Sequence, residues 1–335
     1  MSRGGQRVTE DRTEALVERM LARDRTALAR LMTLVENRAP ELPAIMSRVY
    51  GHTGRAHVVG ITGPPGAGKS TIADGLTACL RAAERRVGIV AVDPSSPFSG
   101  GAVLGDRIRM QAHFLDPGVF IRSLSTRGSH GGLARATRDM IRLLDAFGVD
   151  AVLVETVGVG QTELDVMRLA DTVVVVLVPE AGDAVQVMKA GLLEIADVFV
   201  VNKADREGAE RMHSELVQML HLRPSGGWTI PVLLTQASAS TGLDAVRDAI
   251  ETHRAFLASD PEHAGRERAR REGELLDVLD EELRRRVAQR LAAHGSDGLA
   301  PLLDAVRAGT VDPYTAALRI LEDAPTLERL IGREE

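Results

Sequence analysis

The chain has 335 residues, 44% of them apolar, enough for one large α/β domain with additional helices. Aromatic residues make up only 3%, so the core must be aliphatic, which argues against a nucleic-acid surface built on base-stacking rings. The net charge of −6 supplies no overall positive field to draw in a phosphate backbone.

The opening stretch, Met1-Ser2-Arg3-Gly4-Gly5-Gln6-Arg7, runs into charged residues and carries no apolar secretory core. Residues 9–50 then show helical spacing: Leu16, Val17, Met20 and Leu21, followed by Leu28, Leu31, Met32 and Val35. Two or three short helices are expected, broken at Arg23-Asp24-Arg25 and near Ala39 by Pro40 and Pro43. From His57 the pattern changes. Val58–Thr62 reads as a strand ending in a glycine loop, with a helix expected over about 69–83. Cys79, the single cysteine, falls on that helix. No internal disulfide and no multi-cysteine zinc site can form, and a reducing, cytoplasmic setting is expected.

Further apolar runs predict strands at Val87–Val92, Val119–Leu124, Ala151–Val154, Thr172–Val178, Asp197–Val201 and Pro231–Thr235. The longest, Val173–Val178, is far too short to span a bilayer. Helices are expected between the strands, over about 131–147, 162–170, 184–194, 207–222 and 241–258. Strands that are mostly apolar throughout, alternating with helices, predict a doubly wound α/β fold with a mostly parallel sheet. Past residue 259 the strands stop. Asp260–His294 reads as one charged helix with Leu275, Leu276, Leu279, Leu283 and Val287 along one face. That face serves either packing within its own domain or self-association. Short helices are expected around 298–308, 313–322 and 325–331.

Gly63-Pro64-Pro65-Gly66-Ala67-Gly68-Lys69-Ser70 fits G-x-x-x-x-G-K-[ST] between a strand and a helix. Its backbone N–H groups and the helix N-terminus suit phosphate oxygens. Lys69 is expected on the β- and γ-phosphates, Ser70 on Mg²⁺ and Thr71 near the α-phosphate. Asn202-Lys203-Ala204-Asp205, at a strand end, is N-K-x-D, the guanine-reading pattern. Asp205 would accept from the guanine N1 and N2 donors, which adenine lacks. Lys203 would lie along the base, and Asn202 would tie the segment to the phosphate loop. Ser238, Ala239 and Ser240, after the next strand, are candidates for offering backbone N–H groups to the base.

Asp93 and Glu155 end strands at the carboxyl edge of the sheet, where ligands bind in such folds. Both are candidate Mg²⁺ ligands, directly or through water, and Asp106 is a third. Glu155 with Gly158 resembles a D-x-x-G switch carrying Glu for Asp, so Gly158 is a candidate donor to the γ-phosphate. Val159 follows that glycine and Gln161 comes three residues later, so no water-positioning glutamine is assured. Slow intrinsic hydrolysis is expected. Arg107, Arg109 and Arg127 are candidates for an arginine finger. Only Lys69, Lys189 and Lys203 are lysines, against 38 arginines, so each lysine invites a reason why arginine would not serve.

Together, Gly63–Ser70, Val92–Pro97, Gly105–Met110, Glu155–Gln161 and Asn202–Asp205 resemble the MeaB/ArgK family, metallochaperone-group P-loop GTPases that assist adenosylcobalamin-dependent methylmalonyl-CoA mutase. Residues Ala27–Asn37 also resemble that family. The resemblance implies GTP/GDP and Mg²⁺ as ligands, a homodimer joined through C-terminal helices, and hydrolysis that gates cofactor loading and protects the mutase. Adenosylcobalamin enters only through that partner. The resemblance places Asp93, Asp106 and Glu155 at metal and switch positions and a third, partner-sensing switch at about Glu180–Leu192. Lys189 falls in that switch, so Lys69, Asp106, Glu155 and Lys189 form the expected catalytic set. The implied division is an N-terminal helical extension (1–50), a GTPase domain (51–258) and a C-terminal helical dimerisation arm (259–335). Neither nucleic acid nor membrane is an expected partner. Related acyl-CoA mutases, isobutyryl-CoA and ethylmalonyl-CoA mutase among them, stay open as partners. So do three other readings: a nickel-insertion GTPase, a kinase acting on arginine-transport components, and a structural dimeric scaffold. Scattered histidines and a lone cysteine speak against the first, and N-K-x-D against an ATP-dependent kinase.

Overall fold

A computed structural model describes residues 3–93, 113–125, 132–156, 161–179, 191–222, 227–292 and 300–331. Three helices come first: α1 (Arg3–Leu21), α2 (Arg25–Glu36) and α3 (Leu42–Tyr50). Asp24 caps α2, its carboxylate accepting from Thr26 N and Ala27 N at 2.8 and 3.1 Å. Leu28, Leu31, Met32 and Val35 recur at helical spacing and are fully buried. The expected break at 23–25 is therefore a tight turn in which Arg23 takes a left-handed φ of 71°.

The strands are β1 (His57–Thr62), β2 (Val87–Asp93), β3 (Val119–Ser125), β4 (Ala151–Thr156), β5 (Thr172–Leu177), β6 (Val198–Asn202) and β7 (Val232–Thr235). They form one seven-stranded sheet in the order β3-β2-β4-β1-β5-β6-β7, and every pairing is parallel. Between them lie α4 (Lys69–Ala82), α5 (Gly132–Phe147), α6 (Gln161–Met167), the single turn α7 (Leu192–Ile195), α8 (Ala209–His221) and, after β7, α9 (Leu243–Ser259). Of the helix expected over 184–194, residues 184–190 lie outside the described residues.

Alternate strand residues feed two different cores, which is why the strands are mostly apolar on both faces. Val58, Val152, Val154 and Val175 join the core under α1–α3, α5 and α8. Val59, Ile61, Leu153, Val174 and Val176 join the core under α4 and α9, with Ile72, Leu76, Val246 and Ile250. Side chains of this size contribute roughly 1.5–3 kcal/mol each when removed from water.

The chain forms two compact units, Met1–Ala258 and Ser259–Glu335. Helices α1–α3 belong to the first. The second holds α10 (His263–Ala292), α11 (Ala300–Arg307), α12 (Pro313–Glu322) and α13 (Ala324–Ile331). Along α10, Arg285 and Arg286 both grip Glu282, at 2.7 and 2.8 Å. First Arg285 and then Arg286 hold that carboxyl down to about 2, against the cost of desolvation. No helix among the described residues is long and apolar enough to cross a membrane.

Candidate nucleotide-binding site

The carboxyl ends of β1, β4, β6 and β7 gather most of the described candidates. The phosphate loop leaves β1 at Gly63, whose φ of +142° and position over Val176 leave no room for a side chain. A Cβ there would lie 2.0 Å from the Val176 carbonyl oxygen. Lys69 opens α4 and is only 6% exposed. Its Nζ donates to the carbonyls of Gly63 and Pro64 at 2.8 and 3.0 Å, folding the ammonium back over the loop. A buried ammonium needs such acceptors, and an entering phosphate would replace them with charged oxygens.

Ser70 follows in the first turn of α4. Its hydroxyl donates to Glu155 Oε1 at 2.5 Å, and both residues are buried. Glu155 reaches that point because β4 sits between β1 and β2, with Glu155 in register with Ile61 and Ala91. Two threonines close the same edge, Thr156 Oγ1 donating to Thr62 Oγ1 at 3.1 Å. The hydroxyl and carboxylate form an all-oxygen pair that suits a hard cation such as Mg²⁺. Thr71 is exposed beside them.

Asn202 braces the base-reading segment. Its Nδ2 donates to Ala67 O at 2.9 Å, inside the phosphate loop. Its Oδ1 accepts from Thr235 Oγ1 and from Ala237 N, both at 3.1 Å. Three loops are thus joined through one buried amide. Gly68 makes this approach feasible: it has a φ of +91°, and a Cβ there would lie 2.3 Å from Asn202 Nδ2. Lys203 takes a left-handed φ of 59°, and Ala204 N donates to Thr235 O at 2.9 Å, so the turn presents Asp205 to solvent.

The last loop is more constrained than its small residues suggest. Ala237–Ala239 is a turn of 3₁₀ helix in which Ala239 N and Ser240 N donate to Gln236 O and Ala237 O. Ser238, Ala239 and Ser240 are exposed. Pro64, Pro65 and Gly66 complete the phosphate loop, which Ala67 N closes by donating to Pro64 O at 3.2 Å. Asp93 ends β2, but its side chain lies outside the described residues. So do Asp106, Gly158, Lys189, Arg107, Arg109 and Arg127. Thr62 and Thr156 were not legible as part of the site. Their only signal is a short polar or small residue at a strand end.

Cys79 is half-buried on α4, its Sγ 3.8 Å from Asp244 Oδ1. Burial and then the Asp244 charge push the thiol pKa up, which leaves it a poor metal ligand. Among the described residues, no group of three or more His, Cys, Asp and Glu side chains is assembled to hold a metal.

A phosphate loop at the central strand, an N-K-x-D segment bonded to it, and a wholly parallel sheet with helices on both faces define a P-loop GTPase. The chain belongs to the MeaB family: the family model for "Methylmalonyl Co-A mutase-associated GTPase MeaB" matches residues 28–292. A relative from Pyrococcus horikoshii that carries a GTPase name is 46% identical over 324 residues, covering 96% of this chain and 99% of that one. The mitochondrial methylmalonic aciduria type A homolog of Mus musculus is 40% identical over 207 residues, 60% of this chain and 50% of that one. The crystal structure of a LAO/AO transport system kinase superposes with a TM-score of 0.62 at 26% identity, covering 92% of this chain and 96% of that one. GTP hydrolysis is accordingly the activity of this chain, with GTP and GDP as its nucleotides.

Proposed function

We propose that the chain is a GTPase chaperone of an adenosylcobalamin-dependent acyl-CoA mutase, with methylmalonyl-CoA mutase the first candidate. The observation that carries this reading is the MeaB family match over residues 28–292. The mouse relative's name, which refers to methylmalonic aciduria, supports it.

In this reading Lys69 binds the β- and γ-phosphates, and Asp205 reads guanine while Asn202 holds the two together. Ser70, Asp93, Asp106 and Glu155 would hold Mg²⁺, which would supply charge neutralisation at the phosphates. Gly158 senses the γ-phosphate, and Lys189 in the 180–192 segment couples nucleotide state to the mutase. Hydrolysis is slow alone and faster with the partner, because Val159 follows the switch glycine and Gln161 comes only three residues after it. Two copies join through the second unit. There Leu275 and Leu276 on α10 are 66% and 64% exposed, and Tyr314, Leu318 and Leu321 on α12 are exposed as well.

The test is GTP turnover by the full chain, alone and with a methylmalonyl-CoA mutase. Slow turnover that the mutase raises tenfold or more is expected. Turnover that no adenosylcobalamin-dependent acyl-CoA mutase alters would overturn the chaperone reading and leave the GTPase intact. Lys69→Ala should abolish turnover under both conditions.

A further inference from the structure

At the opposite, amino-terminal edge of the sheet lies an open cavity of about 200 Å³. Five arginines line it: Arg23, Arg55, Arg85, Arg86 and Arg254. They come from separated parts of the chain. Arg23 follows α1, Arg55 precedes β1, Arg85 and Arg86 precede β2, and Arg254 lies on α9.

Two carboxylates share the cavity, and both are turned to backbone amides. Asp145 accepts from Gly54 N at 2.5 Å and from Ala56 N at 2.9 Å. Asp150 Oδ2 accepts from Arg86 N at 2.7 Å. Among the described residues, the guanidinium groups of Arg55, Arg85 and Arg86 form no ion pair. That of Arg254 reaches only Glu251, at 4.0 Å, and that of Arg23 only the Gly148 carbonyl, at 3.4 Å.

Four other arginines of the first unit are paired with carboxylates. Arg19 pairs with Asp24, Arg48 with Glu14, Arg81 with Asp116 and Arg122 with Glu36, all within 3.0 Å. An arginine-rich composition alone would spread unpaired guanidinium groups over convex surface. Here five converge on one concavity with a surplus of three positive charges. Like charges held this close repel one another, and an anion would relieve that repulsion. Guanidinium groups favour oxyanions that accept two parallel hydrogen bonds.

We infer that this cavity binds a small soluble polyanion with adjacent phosphoryl groups, at a site separate from the GTP site. The six residues of β1, about 20 Å at ~3.3 Å per residue, separate the two edges. The cavity's size and concavity suit a compact anion rather than a polymer.

Inorganic pyrophosphate, titrated calorimetrically into the full chain saturated with GDP, tests the site, since GDP fills the phosphate loop. One saturable site is expected, weakened tenfold or more by Arg55→Gln or Arg86→Gln and unchanged in Lys69→Ala. Pyrophosphate should also raise the thermal midpoint of the wild type and not of the arginine variants. Without the anion those variants should melt no lower than wild type, because neither guanidinium has a carboxylate partner to lose. Absence of saturable binding would overturn the inference. So would binding that survives both arginine substitutions or disappears in Lys69→Ala. Capture by anionic phosphatidylglycerol vesicles without pyrophosphate binding would overturn it too, in favour of a lipid surface.

Discussion

Asn202 concentrates more structure than any other residue of the site. It is buried, and its amide makes one donated and two accepted bonds. Asn202→Ala leaves the Ala67 carbonyl, the Thr235 hydroxyl and the Ala237 N–H without that partner, at about 3 kcal/mol. Urea unfolding should show that loss, and GTP titration should show affinity down by tenfold or more. Stability within 0.5 kcal/mol of wild type would mean that water replaces the amide. The tie to the phosphate loop was legible, because N-K-x-D implies it. Its acceptor and its two further donors were not, since Ala67 and Asn202 stand 135 residues apart. His57 behaves oppositely at the other sheet edge. Thr172 Oγ1 lies 2.8 Å from both His57 Nε2 and His253 Nδ1, a short buried relay. Desolvation, and then the charge of Arg254 against that of Glu251, push the His57 ring down to about 4 from 6.5. Above pH 6.5 the ring is neutral in both folded and unfolded chains. Below it the unfolded chain takes up a proton that the folded one refuses, so stability falls by about 3 kcal/mol as pH drops towards 4. Comparing urea unfolding of wild type and His57→Gln from pH 7 to 4 isolates this contribution. Parallel pH profiles would refute it.

At the scale of elements, the strands were the most legible part, because parallel strands buried on both faces read as near-continuous apolar runs. Their order in the sheet was not, since nothing local tells β1 to lie between β4 and β5. The role of α1–α3 was half legible. Helical spacing marked their apolar faces, but not that those faces complete the core of the first unit. Leu31 is fully buried there, beside α5 residues such as Met140 and Leu144. Leu31→Ala should therefore cost about 3 kcal/mol in urea unfolding, within the range for a buried leucine. A change below 0.5 kcal/mol would make α2 an appendage. The helix α10 shows the reverse case. Its leucine face was visible in the sequence, yet spacing could not decide whether the face meets its own unit or another copy.

At the scale of the molecule, the exposure of that face bears on assembly. Leu276 and Leu279 are 64% and 50% exposed within a single copy, and covering leucines of this size contributes roughly 1.5–3 kcal/mol each. In the proposed dimer, Leu276→Asp with Leu279→Asp should yield a monomer by sedimentation, with GTP affinity near wild type. A dimer that survives both changes would move the contact elsewhere.

The strand order also has a consequence for biosynthesis. The central strand β1 has its hydrogen-bonding partners in β4 and β5, and 94 residues separate Thr62 from Thr156. On a ribosome adding ~5–20 residues per second, His57–Thr62 waits about 5–20 s for its first neighbour to emerge. During that interval the nascent chain carries a strand rich in apolar residues with both edges open, a target for chaperone holdases. Slowing elongation across residues 63–150 should therefore lower soluble yield, whereas slowing it after residue 177 should not.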